Sequence, residues 1–162
     1  MADEERDDEE SGDEEREQRL FSRPEAEALL PLLQNELAGA RENKRRVDEL
    51  DRDFTQVQNQ IQLAGGYLPP YALLAKKRVE REMLVSALRE AVTRIESNGC
   101  VVKDLDLGLV DFLTVLNDEQ VFLCWKLGEP AIRYWHRTDE GFAGRKPLGD
   151  GEAAAPDERK LN

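Results

Sequence analysis

The sequence predicts an α+β fold, in which a long antiparallel helical hairpin is followed by a small antiparallel β-meander, with a disordered acidic N-terminal tail. Apolar residues recur at helical spacing over residues 23–97, and a stretch rich in glycine and proline interrupts them near residue 67. Beyond Gly99, short apolar runs alternate with turn residues. We therefore expect a single domain over residues 20–148, with the hairpin at 22–98 and the meander at 100–148.

The acidic charge of the chain is concentrated at its two ends. Of a formal net charge of −12, residues 1–19 carry −8 and residues 149–162 carry −2, which leaves the body almost neutral. Segments with so much charge and so few apolar residues cannot bury enough surface to offset the entropy of ordering, so both ends are predicted to be disordered. The near-neutral body gives no argument for nucleic-acid binding.

Cysteine content and hydropathy favour a cytoplasmic protein. Cys100 and Cys124 are too few for a disulfide framework, and no Cys-x-x-Cys pair is present. The N-terminus has no basic segment followed by an apolar one, and no apolar run approaches the roughly 18 residues of a membrane span. We therefore expect reduced thiols, and neither a membrane nor a nucleic acid as a partner.

The first helix is predicted to begin at about Arg23. Ser22-Arg23-Pro24-Glu25 has the residues of a capping box, with proline in the first turn. Pro31 removes a backbone donor, so a kink or a break into two helices is expected there. Further along, apolar residues alternate steps of three and four, which predicts a coiled-coil seam. These residues are Val47, Leu50, Phe54, Val57 and Ile61.

The second helix is predicted from about Tyr71 to Ser97, with Asn98-Gly99 as its stop. Its apolar stripe is Ala75, Val79, Met83, Ala87, Ala91 and Ile95. A reversal near residue 67 then sets Val57 near Val79 and Phe54 near Met83. In this register the second helix ends before it reaches the leucine-rich segment, residues 29–33, which therefore needs another partner.

Four short strands are predicted in the C-terminal region, at about residues 100–102, 109–116, 120–127 and 131–137. If both later turns are three-residue loops, one face carries Val110, Phe112, Phe122, Cys124, Ile132, Tyr134 and His136. The other face carries Leu113, Val115, Val121, Leu123, Trp125 and Trp135. Both faces are too apolar to be left in water, so we expect each to be covered.

Several long strings in the sequence are distinctive. Residues 123–136 are Leu-Cys-Trp-Lys-Leu-Gly-Glu-Pro-Ala-Ile-Arg-Tyr-Trp-His, residues 141–145 are Gly-Phe-Ala-Gly-Arg, and residues 22–31 are Ser-Arg-Pro-Glu-Ala-Glu-Ala-Leu-Leu-Pro. With Gly-Cys-Val-Val-Lys-Asp-Leu-Asp-Leu-Gly-Leu-Val-Asp-Phe at 99–112, they resemble the prokaryotic family known as domain of unknown function 2203. The resemblance covers about Phe21 to Leu148. It implies a shared fold and a bacterial source, and it carries no activity or catalytic role.

Carboxylates and one imidazole give a candidate metal site in the sheet region. Its ligands are Asp104, Asp106, Asp111, Glu129 and His136, to which Asp139 and an occasional sulfur from Cys124 can be added. The alternative is that these acids cap turns and strand ends. His136, the only histidine, is either a structural residue hydrogen-bonded to a backbone or carboxylate partner or one half of a Cys-His pair with Cys124.

Residues 141–146 allow two interpretations, a glycine-rich closing turn and a backbone nest for an anion beside Arg145 and Lys146.

Two functions are compatible with these features. The first is a non-enzymatic interaction or assembly protein that self-associates through the hairpin or the exposed sheet face. A homodimer through Leu29, Leu30 and Leu33 is also predicted. The second is a small metal-binding protein or metal-dependent enzyme that uses the acids and His136. Docking of the leucine-rich segment on the chain's own sheet face, the one with Trp125 and Trp135, competes with the dimer. No substrate or cofactor is specified by the sequence.

Overall fold

Two long helices precede an antiparallel sheet, so the predicted α+β class is confirmed. The computed structural model describes residues 19–65 and 68–149. The two ends predicted to be disordered lie outside these ranges, except for residues 19 and 149. The helices are α1 (Arg23–Ala64) and α2 (Tyr71–Glu96). The strands in the described part are β1 (Val101–Asp104), β2 (Leu109–Leu116), β3 (Glu119–Lys126), β4 (Tyr134–Arg137) and β5 (Lys146–Pro147).

Helix α1 begins at the predicted capping box. The Ser22 hydroxyl accepts a hydrogen bond from the Glu25 backbone N–H, and the Glu25 carboxylate accepts one from the Ser22 N–H at 2.8 Å. Of the two alternatives predicted at Pro31, the break into two helices is wrong, because α1 runs through it as one helix. Pro31 is exposed, while its neighbours Leu30 and Leu33 are buried against the sheet, and this packing offsets the lost backbone hydrogen bond.

Interhelical ion pairs show the register of the hairpin. Arg94 contacts Glu36 at 2.9 Å, Arg81 contacts Asp51 at 2.5 Å and Lys77 contacts Asp53 at 2.6 Å. The two helices therefore run antiparallel as predicted, but in a register that differs from the expected one by several residues.

The predicted stripe of α2 is wrong in its first half, where Val79 and Met83 face solvent. The side turned towards α1 carries Leu74, Leu84 and Leu88, together with Ala91 and Ile95 of the predicted stripe. At about 100° per residue, Val79 and Leu88 lie on opposite sides of α2. The helix is thus apolar on two sides, and spacing alone did not indicate which one packs on α1.

The sheet is a meander in which each strand pairs with the next, in the order β1-β2-β3-β4-β5. A two-residue turn, Asn117-Asp118, joins β2 to β3, and both residues have positive φ, 51° and 64°. The expected three-residue loop is therefore wrong. A slip of one residue turns every side chain of a strand to the other face, so β2 is reversed relative to the prediction. The predicted shared face of Phe122 and His136 is confirmed by their direct pairing.

One face of the sheet packs on the first third of α1. Phe112, Leu123 and Trp125 from the sheet and Leu33 and Leu37 from α1 belong to one buried cluster. The leucine-rich segment therefore docks within its own chain, as the competing hypothesis predicted. The surface first expected to form a dimer is not available for one. No helix in the described ranges is long and apolar enough to cross a membrane.

Candidate metal centre

Three neighbouring strands each contribute one metal-binding type of side chain to the sheet face away from α1. Asp111 on β2 pairs directly with Cys124 on β3, and His136 on β4 pairs with Phe122, two residues along β3 from Cys124. One donor atom from each of Asp111, Cys124 and His136 lies within 4.8 Å of the other two, and all three residues are buried. The tight turn at Asn117-Asp118 makes this possible, because it sets the face on which Asp111 lies.

The hydrogen bonds of His136 locate a proton within the cluster of Asp111, Cys124 and His136. Its Nδ1 lies 2.8 Å from the Arg137 carbonyl oxygen, and its Nε2 lies 2.9 Å from Asp111 Oδ2. A carbonyl oxygen only accepts, so Nδ1 carries a hydrogen and donates it. One further proton must then lie between Nε2 and Oδ2, whichever atom holds it. This is the carboxylate and backbone pairing expected for a structural histidine, and it also leaves Nε2 pointing into the cluster.

Asp111 has one satisfied and one unsatisfied oxygen. Oδ2 is paired with His136, whereas the buried Oδ1 has no hydrogen bond of ordinary geometry among the described residues, and the Cys124 thiol interacts with this carboxyl group. Leaving a buried acceptor unpaired costs about 1–3 kcal/mol, and more for a charged group. The Cys124 thiol is a weak donor and offsets this cost only in part, and a cation is another partner that a carboxylate oxygen accepts.

Cys124 cannot serve as a nucleophile in this arrangement. Burial raises the pKa of its thiol to about 12, and its contacts with the Asp111 carboxyl group act in the same direction, which outweighs the opposing effect of the Arg145 guanidinium. Both ring nitrogens of His136 are already engaged, with Arg137 and Asp111. The hypothesis of a Cys-His pair therefore lacks the base that would remove the thiol proton.

A comparison with known protein families matches residues 19–148 to DUF2203, described as an uncharacterized conserved protein. The chain belongs to the DUF2203 family. This confirms the resemblance seen in the sequence, over essentially the whole described part. The comparison with curated proteins returned no match, and the comparison with solved structures returned none either.

In this DUF2203 protein, Arg145 lies in the neighbouring turn and contacts the backbone of Cys124. Its guanidinium binds both carboxylate oxygens of Glu129, at 2.9 and 2.7 Å, donates to the Cys124 carbonyl at 3.1 Å and stacks 4.2 Å from the Tyr134 ring centroid. Burial alone raises the pKa of Glu129, but the hydrogen bonds from Arg145 and from the Lys126 backbone together hold it below its ordinary value. Arg145 thereby fixes the backbone that carries Cys124.

The glycine-rich segment before Arg145 forms a closing turn. A single turn of 3₁₀ helix, Phe142–Gly144, leads directly into Arg145 and β5. The two cations of the proposed anion nest are both engaged, Arg145 with Glu129 and Lys146 with Glu140 at 3.0 Å. These contacts favour the closing turn over the anion nest.

Of the five predicted metal ligands, the structure brings only Asp111 and His136 together. Asp104 accepts a hydrogen bond from the Leu107 N–H at 2.8 Å and caps a turn. Asp106 lies in an ion pair with Lys44 at 3.0 Å. Asp139 is exposed, and Glu129 is held by Arg145. Cys124, expected only as an occasional ligand, is the third member of the DUF2203 group.

Proposed function

We propose that this DUF2203 protein binds one divalent transition-metal ion through Asp111, Cys124 and His136. The observation that carries the proposal is the convergence of three different donor types, from three adjacent strands, at one buried point. It is supported by Oδ1 of Asp111, which makes no hydrogen bond of ordinary geometry within the described ranges and which a cation would satisfy. This is the second of the two functions inferred from the sequence, with a different ligand set.

Zinc matches this donor set best. Zn²⁺ takes nitrogen, oxygen and thiolate ligands at about 2.0–2.3 Å, so tetrahedral donors lie about 3.3–3.6 Å apart. The three donor atoms already lie within 4.8 Å, and small rotations of the side chains would bring them to bonding distance. The ion would replace the proton shared by His136 and Asp111 and the thiol proton of Cys124. The bond from His136 Nδ1–H to a carbonyl is the outer contact that commonly orients an Nε2 ligand.

The proposed role of the ion is to tie the sheet together. Each ligand comes from a different strand, so one ion would link β2, β3 and β4 on the face that α1 does not cover. Three protein ligands would leave one zinc position for a water molecule, as in hydrolytic sites, but all three ligands are buried, which restricts the access of a substrate. We therefore propose metal-dependent stabilisation of the fold. A free thiol as ligand also fits the reducing cytoplasm expected from the sequence.

Zinc titration of the full chain against a chromophoric chelator tests the proposal. We expect wild-type protein to bind one equivalent and to melt at a higher temperature when loaded, because the ion binds only the folded form. Cys124→Ala should weaken binding at least about tenfold, since it removes a direct ligand. Cys100→Ala is the matched control: Cys100 is also buried, but its thiol contacts the Ile95 carbonyl at 3.3 Å, away from the group.

Two results would overturn the metal site. One is wild-type protein that takes up no zinc, cobalt or nickel and shows no change in melting temperature on their addition. The other is equal affinity in wild type, Cys124→Ala and His136→Asn, which would place any bound ion elsewhere. Circular dichroism of each variant establishes that a lost metal is not the result of an unfolded chain.

A further inference from the structure

The side of α2 that faces away from α1 carries an apolar stripe. Val79 is 56% exposed and Met83 is 68% exposed, and the two are one helical turn apart. Ala72 and Ala75 extend the stripe towards the hairpin turn and are exposed as well. Nothing in the part of the chain that the structure describes covers this outer stripe of α2. An uncovered apolar stripe on a helix marks a surface for association.

The outer stripe of α2 takes no part in the contact between the two helices. The opposite side of α2 already contacts α1 through Leu74, Leu84 and Leu88, which are partly buried in the hairpin. The interhelical ion pair of Lys77 with Asp53 fixes α2 in that orientation. Covering Val79 and Met83 therefore requires a surface from outside the described chain.

Charges beside the outer stripe select its partner. Arg78 and Glu82 are exposed, lie on the same flank of the stripe and have no ion pair within the described ranges. When two copies of α2 pack antiparallel about a two-fold axis, Arg78 of each copy faces Glu82 of the other, and Val79 faces Met83. In a parallel pair the two copies of this flank would lie on opposite sides of the interface, so Arg78 and Glu82 would not meet. The stripe is thus complementary to itself in the antiparallel arrangement.

We propose that the chain self-associates through the outer stripe of α2, as an antiparallel two-fold pair. The two hairpins would then bury Val79 and Met83 of both copies in one four-helix layer, with reciprocal ion pairs between Arg78 and Glu82 at its edge. This retains the homodimer predicted from the sequence and places it on the hairpin, one of the two surfaces expected for self-association, and not on the leucine-rich segment. The metal group lies on the sheet, so self-association and metal binding are tested separately.

Analytical ultracentrifugation of the full chain measures the association. We expect wild-type protein to sediment as a dimer at tens of micromolar, and Val79→Asp with Met83→Asp to sediment as a monomer, because two carboxylates would be desolvated in the interface. Leu32→Asp is the matched control. Leu32 is an apolar residue of α1 that is 45% exposed, outside the outer stripe, so this change should leave the dimer intact.

A charge exchange tests the antiparallel arrangement without removing apolar surface. Arg78→Glu alone or Glu82→Arg alone should weaken association about tenfold or more by placing like charges together, and the double exchange should restore it to within about threefold of wild type. Self-association through this stripe is wrong if wild-type protein is monomeric at tens of micromolar, or if the Val79 and Met83 variant associates as wild type does. Failure of the double exchange to restore association would exclude the antiparallel pairing.

Discussion

Two regions of the molecule use their apolar residues in opposite ways: the sheet end, where the strands pack on the first third of α1, and the far half of the helical hairpin, towards its turn. At the sheet end, Phe112, Leu123 and Trp125 are completely buried between β-strands and α1. In the far half of the hairpin, Val79 and Met83 point into solvent. The difference shows that one chain can contain a closed core and an open apolar surface, and that apolar spacing alone does not distinguish them.

The two regions also differ in what holds them together. The sheet end is packed by a contiguous cluster of large side chains, whose burial contributes about 25 cal/mol per Å² of apolar surface. The far half of the hairpin depends more on ion pairs such as Asp51 with Arg81, and partly exposed pairs of this kind contribute only about 0–1 kcal/mol each. We therefore expect the hairpin to open at a lower free energy than the sheet.

The largest expected effect comes from a cavity at the sheet end. Phe112→Ala removes a ring that packs edge-on against Phe21, with centroids 5.3 Å apart, and should lower the free energy of unfolding by about 3–5 kcal/mol. Urea unfolding followed by tryptophan fluorescence measures it, because Trp125 lies in the same cluster. A loss below about 1 kcal/mol would mean that the sheet end is not the closed core described above.

Glu129→Gln is the next largest change, and its effect depends on pH. It leaves the mostly buried Arg145 without its carboxylate partner and should cost about 1–3 kcal/mol at neutral pH. The pKa of Glu129 is lower in the folded state, so its stabilising contribution is complete above the ordinary carboxyl pKa and is lost as pH falls through the lowered value. The free energies of unfolding of wild type and variant should therefore converge at acidic pH. A difference that stays constant with pH would contradict the pairing of Glu129 with Arg145.

Phe54→Ala measures how much the hairpin seam contributes. In the predicted register Phe54 faced Met83 in a closed seam. Its removal would then have lowered the free energy of unfolding as much as a cavity in the core does. Phe54 is only partly buried, so a loss of about 1–2 kcal/mol is expected in thermal or urea unfolding. A value equal to that of Phe112→Ala would remove the contrast between the two regions.

The smallest expected effect has the opposite sign. Gly39 lies in the interior of α1, and a Cβ added there would meet no atom within 4 Å. Gly39→Ala should therefore raise the free energy of unfolding by about 0.5–1 kcal/mol through helix propensity alone. Unchanged or reduced stability in the same unfolding experiment would indicate that this position of α1 is constrained by a contact.

Local signals in the sequence predicted the elements well. The capping box at Ser22, the stop at Gly99 and the alternating runs gave the helix ends and the main strands, because each depends on a few neighbouring residues. The way in which the elements pair with one another was harder to predict from the sequence. The helix register depended on which apolar side of α2 meets α1, and the long-range ion pairs that accompany it, such as Asp53 with Lys77, are not visible in local spacing.

The candidate site illustrates the same limit at a single turn. Asp111, His136 and Cys124 were each named from the sequence, but a three-residue loop placed Asp111 on the opposite face from the other two. Asn117-Asp118 adopts positive φ at both positions, which Asn and Asp tolerate better than most residues, and so forms a two-residue turn. Giving this signal more weight would have brought the three residues together.

X-ray absorption at the metal edge of zinc-loaded protein tests the central claim most directly, because it counts ligand types around the ion. Binding by Asp111, Cys124 and His136 predicts one sulfur at about 2.3 Å and nitrogen or oxygen ligands at about 2.0–2.2 Å, with the sulfur lost in Cys124→Ala and retained in Cys100→Ala. A spectrum without sulfur, or one unchanged in Cys124→Ala, would contradict the proposed centre.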